Sequence, residues 1–117
     1  MLSVPGQVKV FLCLAPTDMR KSIDGLAGLT SEVLAQDPLS GHLFVFVGKR
    51  RDRLKLLYWD GDGYALWYKR LERGTFRLPA AAAGQTSVTL SAADLTMLLS
   101  GIDLASVKRS KRYRRSA

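Results

Sequence analysis

Cysteine and histidine each occur once in this chain, and acids are outnumbered by bases. A lone Cys13 inside an apolar run cannot close a disulfide within the chain, so a reducing cytoplasm is the expected compartment. Its expected role is that of a small buried apolar residue. His42 stands beside a turn with no cysteine or second histidine near it, which excludes the usual zinc ligand sets. No run reaches the roughly 18 apolar residues that a membrane span requires. The opening MLSVPGQVKVFLCLAP has no basic leader, and Lys9 interrupts its apolar run, so it does not read as a signal peptide. Glycine-rich phosphate loops, nucleophile elbows and Cys–His pairs are missing as well. Neither an enzyme nor a bound cofactor is expected.

What is present is apolar residue enough for one core and a surplus of positive charge. A length of 117 residues with 47% apolar content suits a single domain. The net charge of +8 is unevenly placed. Residues 108–115 hold six cations (Lys108, Arg109, Lys111, Arg112, Arg114 and Arg115) and no acid. Residues 49–73 hold eight cations against four acids, and the rest of the chain sums to −2. Basicity gathered on one hairpin and one tail points to a polyanionic partner. The expected organisation is one domain over 1–107 and a basic tail over 108–117, disordered when free because it lacks an apolar pattern.

The spacing predicts strands and helices in alternation. Val8–Leu14 reads as a strand, closed by Pro16. A helix follows, with Thr17 or Asp18 as its cap and Met19, Ile23, Leu26, Leu29 or Thr30, and Val33 on one apolar face. Leu43–Val47, Leu54–Trp59 and Tyr64–Leu71 read as further strands. The last two are joined by Asp60-Gly61-Asp62-Gly63, a strong hairpin turn. Thr75–Leu78 is read as a possible extension of the sheet, and Thr86–Leu90 as a short strand. Ser91 caps a second helix ending at Gly101, with Asp94 as its capping-box partner and Leu95, Leu98 and Leu99 as its apolar stripe. The fold class is α+β: a mainly antiparallel sheet with a central basic hairpin and two packed helices, both expected on one face of the sheet.

Three blocks carry a family pattern. The first is Pro16-Thr17-Asp18-Met19-Arg20-Lys21-Ser22-Ile23-Asp24-Gly25-Leu26. The second is Phe44-Val45-Phe46, then Asp52-Arg53-Leu54-Lys55-Leu56-Leu57-Tyr58-Trp59-Asp60-Gly61, then Leu66-Trp67-Tyr68-Lys69-Arg70-Leu71-Glu72-Arg73-Gly74. The third is Leu98-Leu99-Ser100-Gly101-Ile102-Asp103. On these residues the chain resembles the TnpB-type accessory proteins of the insertion-sequence-66 family of bacterial transposons. It departs from the pattern at Ser22 and Arg51, where glycine is common, and at Leu78 and Leu104, where tryptophan is common. The resemblance implies an accessory role in DNA transposition, beside a separate and larger transposase.

The expected DNA-binding residues are Lys49, Arg50, Arg51, Arg53 and Lys55 on and beside one loop, and Lys69, Arg70 and Arg73 at the adjoining strand end. Hairpin geometry would gather them at one end, with Lys55 and Lys69 approaching each other, and the Asp60–Gly63 turn at the other. Arg20 and Lys21 join them near the first helix, and the six tail cations add contacts without sequence selectivity. The alternative for the rim is a solvated, charge-protected sheet edge. Tyr58, Trp59, Tyr64, Trp67 and Tyr68 are candidate stacking groups, with one member of each adjacent pair expected outside the core. A second function is docking of a companion transposase through exposed aromatics and the Met97-Leu98-Leu99 helix, with DNA contact secondary. A metal-nuclease reading of Asp60, Asp62 and Glu72 fits no ligand spacing. Capping and ion pairing account for Asp18, Asp24 and Asp103.

Overall fold

A computed structural model describes residues 7–101. The basic tail, and with it all six tail cations, lies outside the described residues, as do Asp103 and Leu104. Chain order is β1 (Val10–Cys13), α1 (Ile23–Glu32), β2 (Leu43–Val47), β3 (Arg53–Trp59), β4 (Tyr64–Arg70), β5 (Ser87–Leu90) and α2 (Ala92–Ser100). The five strands form one sheet in the order β4-β3-β2-β1-β5. β1 and β2 are parallel, because α1 carries the chain back between them. The remaining neighbours are antiparallel. The class is α+β, as expected.

The helices lie on opposite faces of the sheet, not on one. Strand parity sorts the core into two layers. Val10, Leu12, Leu43, Val45, Val47, Leu54 and Leu56 pack with Leu95, Leu98 and Leu99 of α2. Cys13, Phe44, Phe46 and Leu57 pack with Leu26 of α1 and with Leu34. The central strand LFVFV is buried at all five positions. A strand apolar on both sides needs cover on both sides, and one helix layer cannot supply it. Each fully buried phenylalanine or leucine contributes about 1.5–3 kcal/mol.

Local chemistry fixes the ends of α2 as expected. Ser91 accepts from the Asp94 N–H while the Asp94 carboxylate accepts from the Ser91 N–H. Gly101 closes the helix in the left-handed region at φ 84°. The first helix differs from expectation: it starts at Ile23, and its cap position, Ser22, makes no side-chain capping bond. Asp18 is not available as a cap, because its carboxylate is taken by Arg20. Thr17 is buried beneath the turn, with its N–H donating to the Val47 carbonyl.

Residues 75–78 do not extend the sheet. Leu71 N–H donates to the Asp52 carbonyl and Phe76 N–H to the Arg51 carbonyl, each at 2.7 Å. The chain thereby folds back over the β2–β3 loop. Phe76 is fully buried on the α2 side although it belongs to no helix or strand.

Candidate nucleic-acid interface

The β2–β3 loop is a tight structure. Gly48 N–H donates to the Arg53 carbonyl, and Arg51 N–H donates to the Gly48 carbonyl. Arg51 sits at φ +61°, a conformation that suits glycine and strains other residues. That accounts physically for the glycine common at this position in the family pattern. Replacing Arg51 by glycine is expected to raise stability by about 0.5–1 kcal/mol, since relief of the strain exceeds the entropy that glycine adds to the unfolded chain. Urea titration would measure it.

Lys49, Arg50, Arg51 and Arg53 are exposed on this loop, and none forms an ion pair among the described residues. Arg53 stands directly opposite Arg70 in the β3–β4 ladder. Like charges facing each other across strands are destabilising unless an anion separates them. Arg70 is partly compensated by Glu72, at 3.1 Å. Arg73 follows, exposed and without an ion pair among the described residues. So does Arg77, which sequence reading missed; its signal was the adjacent apolar Phe76, whose burial holds Arg77 beside the loop.

Lys55 and Lys69 are drawn away from this cluster, which corrects the expectation that they approach each other. Their strand positions face opposite sides of the sheet. On the α1 side, the Lys55 ammonium donates to the carbonyls of Met19 and Lys21, at 2.8 and 2.7 Å, and lies 5.3 Å from the centre of the Tyr68 ring. On the α2 side, the Lys69 ammonium donates to the Leu99 carbonyl at the end of α2. That helix has no basic residue in its own last turn, and Lys69 supplies the cation its C-terminus favours.

Arg20 and Lys21 precede α1 and reach the same region through Lys55. A cleft of about 390 Å³ separates the two loops, lined by Thr17, Asp18, Met19, Gly48, Lys49, Arg50, Asp52 and Arg53. Gly48 allows this approach, because a Cβ there would stand 2.8 Å from Met19 Cγ. The guanidinium of Arg20, hydrogen-bonded to Asp18, holds that carboxyl down to about 2, well below the ordinary 3.8. A lowered carboxylate pKa gives a contribution present above 3.8 and lost as pH falls toward 2. Near neutral pH the pair is therefore intact, and Arg20 is already neutralised. In a DNA-binding titration at that pH, Arg20→Ala is expected to weaken affinity by about twofold or less, the scale of an exposed compensated charge.

Of the candidate aromatics, Tyr68 is the exposed one, at 48%. Its neighbour Trp67 packs on the α2 side, as does Tyr58. Trp59 and Tyr64 meet edge to face at 5.2 Å. The helix expected to dock a transposase is committed inward: Leu98 and Leu99 are buried in the core. Cys13 is buried too, and burial pushes its thiol pKa up. His42 Nδ1 accepts the Lys9 N–H, which ties the approach to β2 onto the start of β1. Asp60 and Asp62 stay exposed in the hairpin turn, far along the strands from Glu72. No three His, Cys, Asp or Glu side chains gather into a metal-binding group among the described residues. No helix among them is long and apolar enough to cross a membrane.

Comparison with known proteins places this sequence in a family. Residues 8–109 match the family described as IS66 Orf2 like protein. The chain is 44% identical over 103 residues to the uncharacterized protein y4hO of Sinorhizobium fredii (strain NBRC 101917 / NGR234), covering 88% of each chain. It is 37% identical over 109 residues to the uncharacterized protein y4jC of the same organism, covering 93% of this chain and 92% of that one. No solved structure matches. The chain belongs to the IS66 Orf2-like family, the TnpB-type accessory proteins of insertion-sequence-66 transposons.

Proposed function

We propose that this chain is a non-catalytic DNA-binding accessory factor in transposition, gripping the phosphate backbone through the loop end of its hairpin. The observation that carries the reading is the facing pair Arg53 and Arg70 beside the uncompensated Lys49, Arg50 and Arg51. A domain that gives up stability to hold like charges together has a use for a polyanion. The contacting set is Lys49, Arg50, Arg51, Arg53, Arg70 and Arg73, with Lys21 at its margin and the tail cations Lys108, Arg109, Lys111, Arg112, Arg114 and Arg115 as further phosphate contacts. Lys55 and Lys69 organise the surface instead of touching DNA, and Arg20 contributes little. Phosphate contacts of this kind fix position without reading bases. The transposase-docking alternative retains Tyr68 but loses the α2 stripe, which is buried within the domain.

The test is a titration of element-end and random duplexes with the full chain at rising salt. Binding to both, with affinity falling steeply as salt increases, is the expected result. Absence of binding at about 50 mM salt, where such contacts are strong, would end this reading.

A further inference from the structure

Strand β4 is the outermost strand of the sheet at one side. Two backbone bonds fix which of its residues face outward. Leu71 N–H donates to the Asp52 carbonyl beyond one end of the β3–β4 ladder, and Asp60 N–H donates to the Gly63 carbonyl beyond the other. Hydrogen-bonded and non-hydrogen-bonded pairs alternate along an antiparallel ladder. Ala65, Trp67 and Lys69 therefore bond inward to β3. Tyr64, Leu66, Tyr68 and Arg70 turn their N–H and C=O groups away from the sheet, and no described residue meets them there.

This edge has none of the usual protection against pairing. It is seven residues long, without proline or glycine, and its ladder to β3 runs unbroken from Tyr64 to Arg70. Natural edges are blunted by short strands, prolines, bulges or charged side chains. The opposite edge, β5, is kept to four residues. The charges of β4 are diverted as well: Lys69 turns to Leu99 and Arg70 to Glu72.

We propose that β4 pairs with β4 of a second copy about a two-fold axis, joining two sheets into one continuous sheet. The sequence of β4 suits an antiparallel register centred on Trp67. All seven residues of each strand then overlap, and outward-facing residues meet only outward-facing residues. Leu66 lies opposite the partner's Tyr68, and Tyr64 opposite the partner's Arg70. These are an apolar–aromatic pair and an aromatic–cation pair, both favourable across strands. The two Trp67 residues face each other across the axis on the α2 side, and Ala65 faces the partner's Lys69. No like charges oppose one another within the paired strands. The ends are complementary as well, because the Asp60–Gly63 turn of one copy lies beside the Arg70–Arg73 end of the other. Main-chain pairing of this kind is a standard means of strand addition.

The dimer does not depend on DNA binding, and its test is independent of it. Sedimentation equilibrium of the full chain without nucleic acid is expected to give twice the 12.9 kDa chain mass at micromolar concentration. In amide hydrogen exchange on the same unmodified protein, Leu66 and Tyr68 should be protected like Ala65 and Trp67, and should lose that protection on dilution. A monomer at all accessible concentrations would overturn the proposal. So would a dimer in which the Leu66 and Tyr68 amides exchange freely while those of Ala65 and Trp67 do not. Tyr68→Pro removes one outward donor and no inward bond, and should halve the sedimenting mass with the circular dichroism of the fold retained. A variant that folds and remains dimeric would count against β4 as the interface.

Discussion

Replacing Lys49, Arg50, Arg53 and Arg70 together by alanine is expected to lower duplex DNA affinity at least a hundredfold at about 0.1 M salt. The slope of log affinity against log salt should flatten by about 3–4, or roughly 0.9 for each phosphate no longer neutralised. On the proposed reading the effect is the same for element-end and random sequence, because phosphate contacts carry no base information. Fluorescence anisotropy across a salt series measures both quantities. The fold should survive: three of the four are uncompensated, and removing either member of the Arg53–Arg70 pair relieves repulsion. Lys55→Ala provides the contrast. It frees the carbonyls of Met19 and Lys21 and is expected to cost about 1.5–3 kcal/mol of stability, the scale of hydrogen bonds to a charged donor. Its salt slope should stay unchanged. An equal flattening for Lys55→Ala would mean that sequence position, and not the structural sorting of the cations, decides which of them meet DNA.

Phe76→Ala is expected to cost about 3–5 kcal/mol, the usual range for truncating a buried phenylalanine. A domain of this size has only about 5–15 kcal/mol to lose. The effect should exceed that of any exposed substitution because the ring is fully buried in the α2-side core. The backbone bond from residue 76 to the Arg51 carbonyl survives in alanine, but without the ring little else holds the return segment against the basic loop. Urea unfolding followed by tryptophan fluorescence would report the midpoint shift. Phe76→Leu, which keeps the segment apolar and most of its volume, should recover much of the stability.

These two cases also show where sequence reading carries and where it stops. The hairpin turn, the capping box around Ser91 and Asp94, and the Gly101 stop are legible because each is settled by residues within a few positions of one another. The placing of Arg53 and Arg70 at the hairpin end away from the turn is legible too, since strand period and turn position determine it. The sides taken by the helices are not. The LFVFV run holds the clue to two-sided cover, being apolar at every position, but no local pattern says which helix goes to which side. The start of α1 is misplaced because Asp18 has two uses, and the arginine two residues later takes it. The separation of Lys55 from Lys69 is hidden for a related reason. Their partners lie 30 to 36 residues away in the chain, and no local pattern announces a carbonyl brought up by tertiary packing. Phe76 reads as strand because apolar residues between turns usually are. Its N–H bonds a loop carbonyl instead, and only the folded chain shows that.

The facing arginines at positions 53 and 70 couple folding to the ionic surroundings. Their repulsion is present only in the native ladder, since an unfolded chain holds the two residues far apart. Anything that places negative charge between them lowers the free energy of the folded form and leaves the unfolded form nearly untouched. Dissolved salt does so weakly by screening, and a phosphate chain does so strongly by contact. On the proposed reading, adding duplex DNA is therefore expected to raise the thermal midpoint, and a thermal-shift series over duplex and salt concentration would measure it.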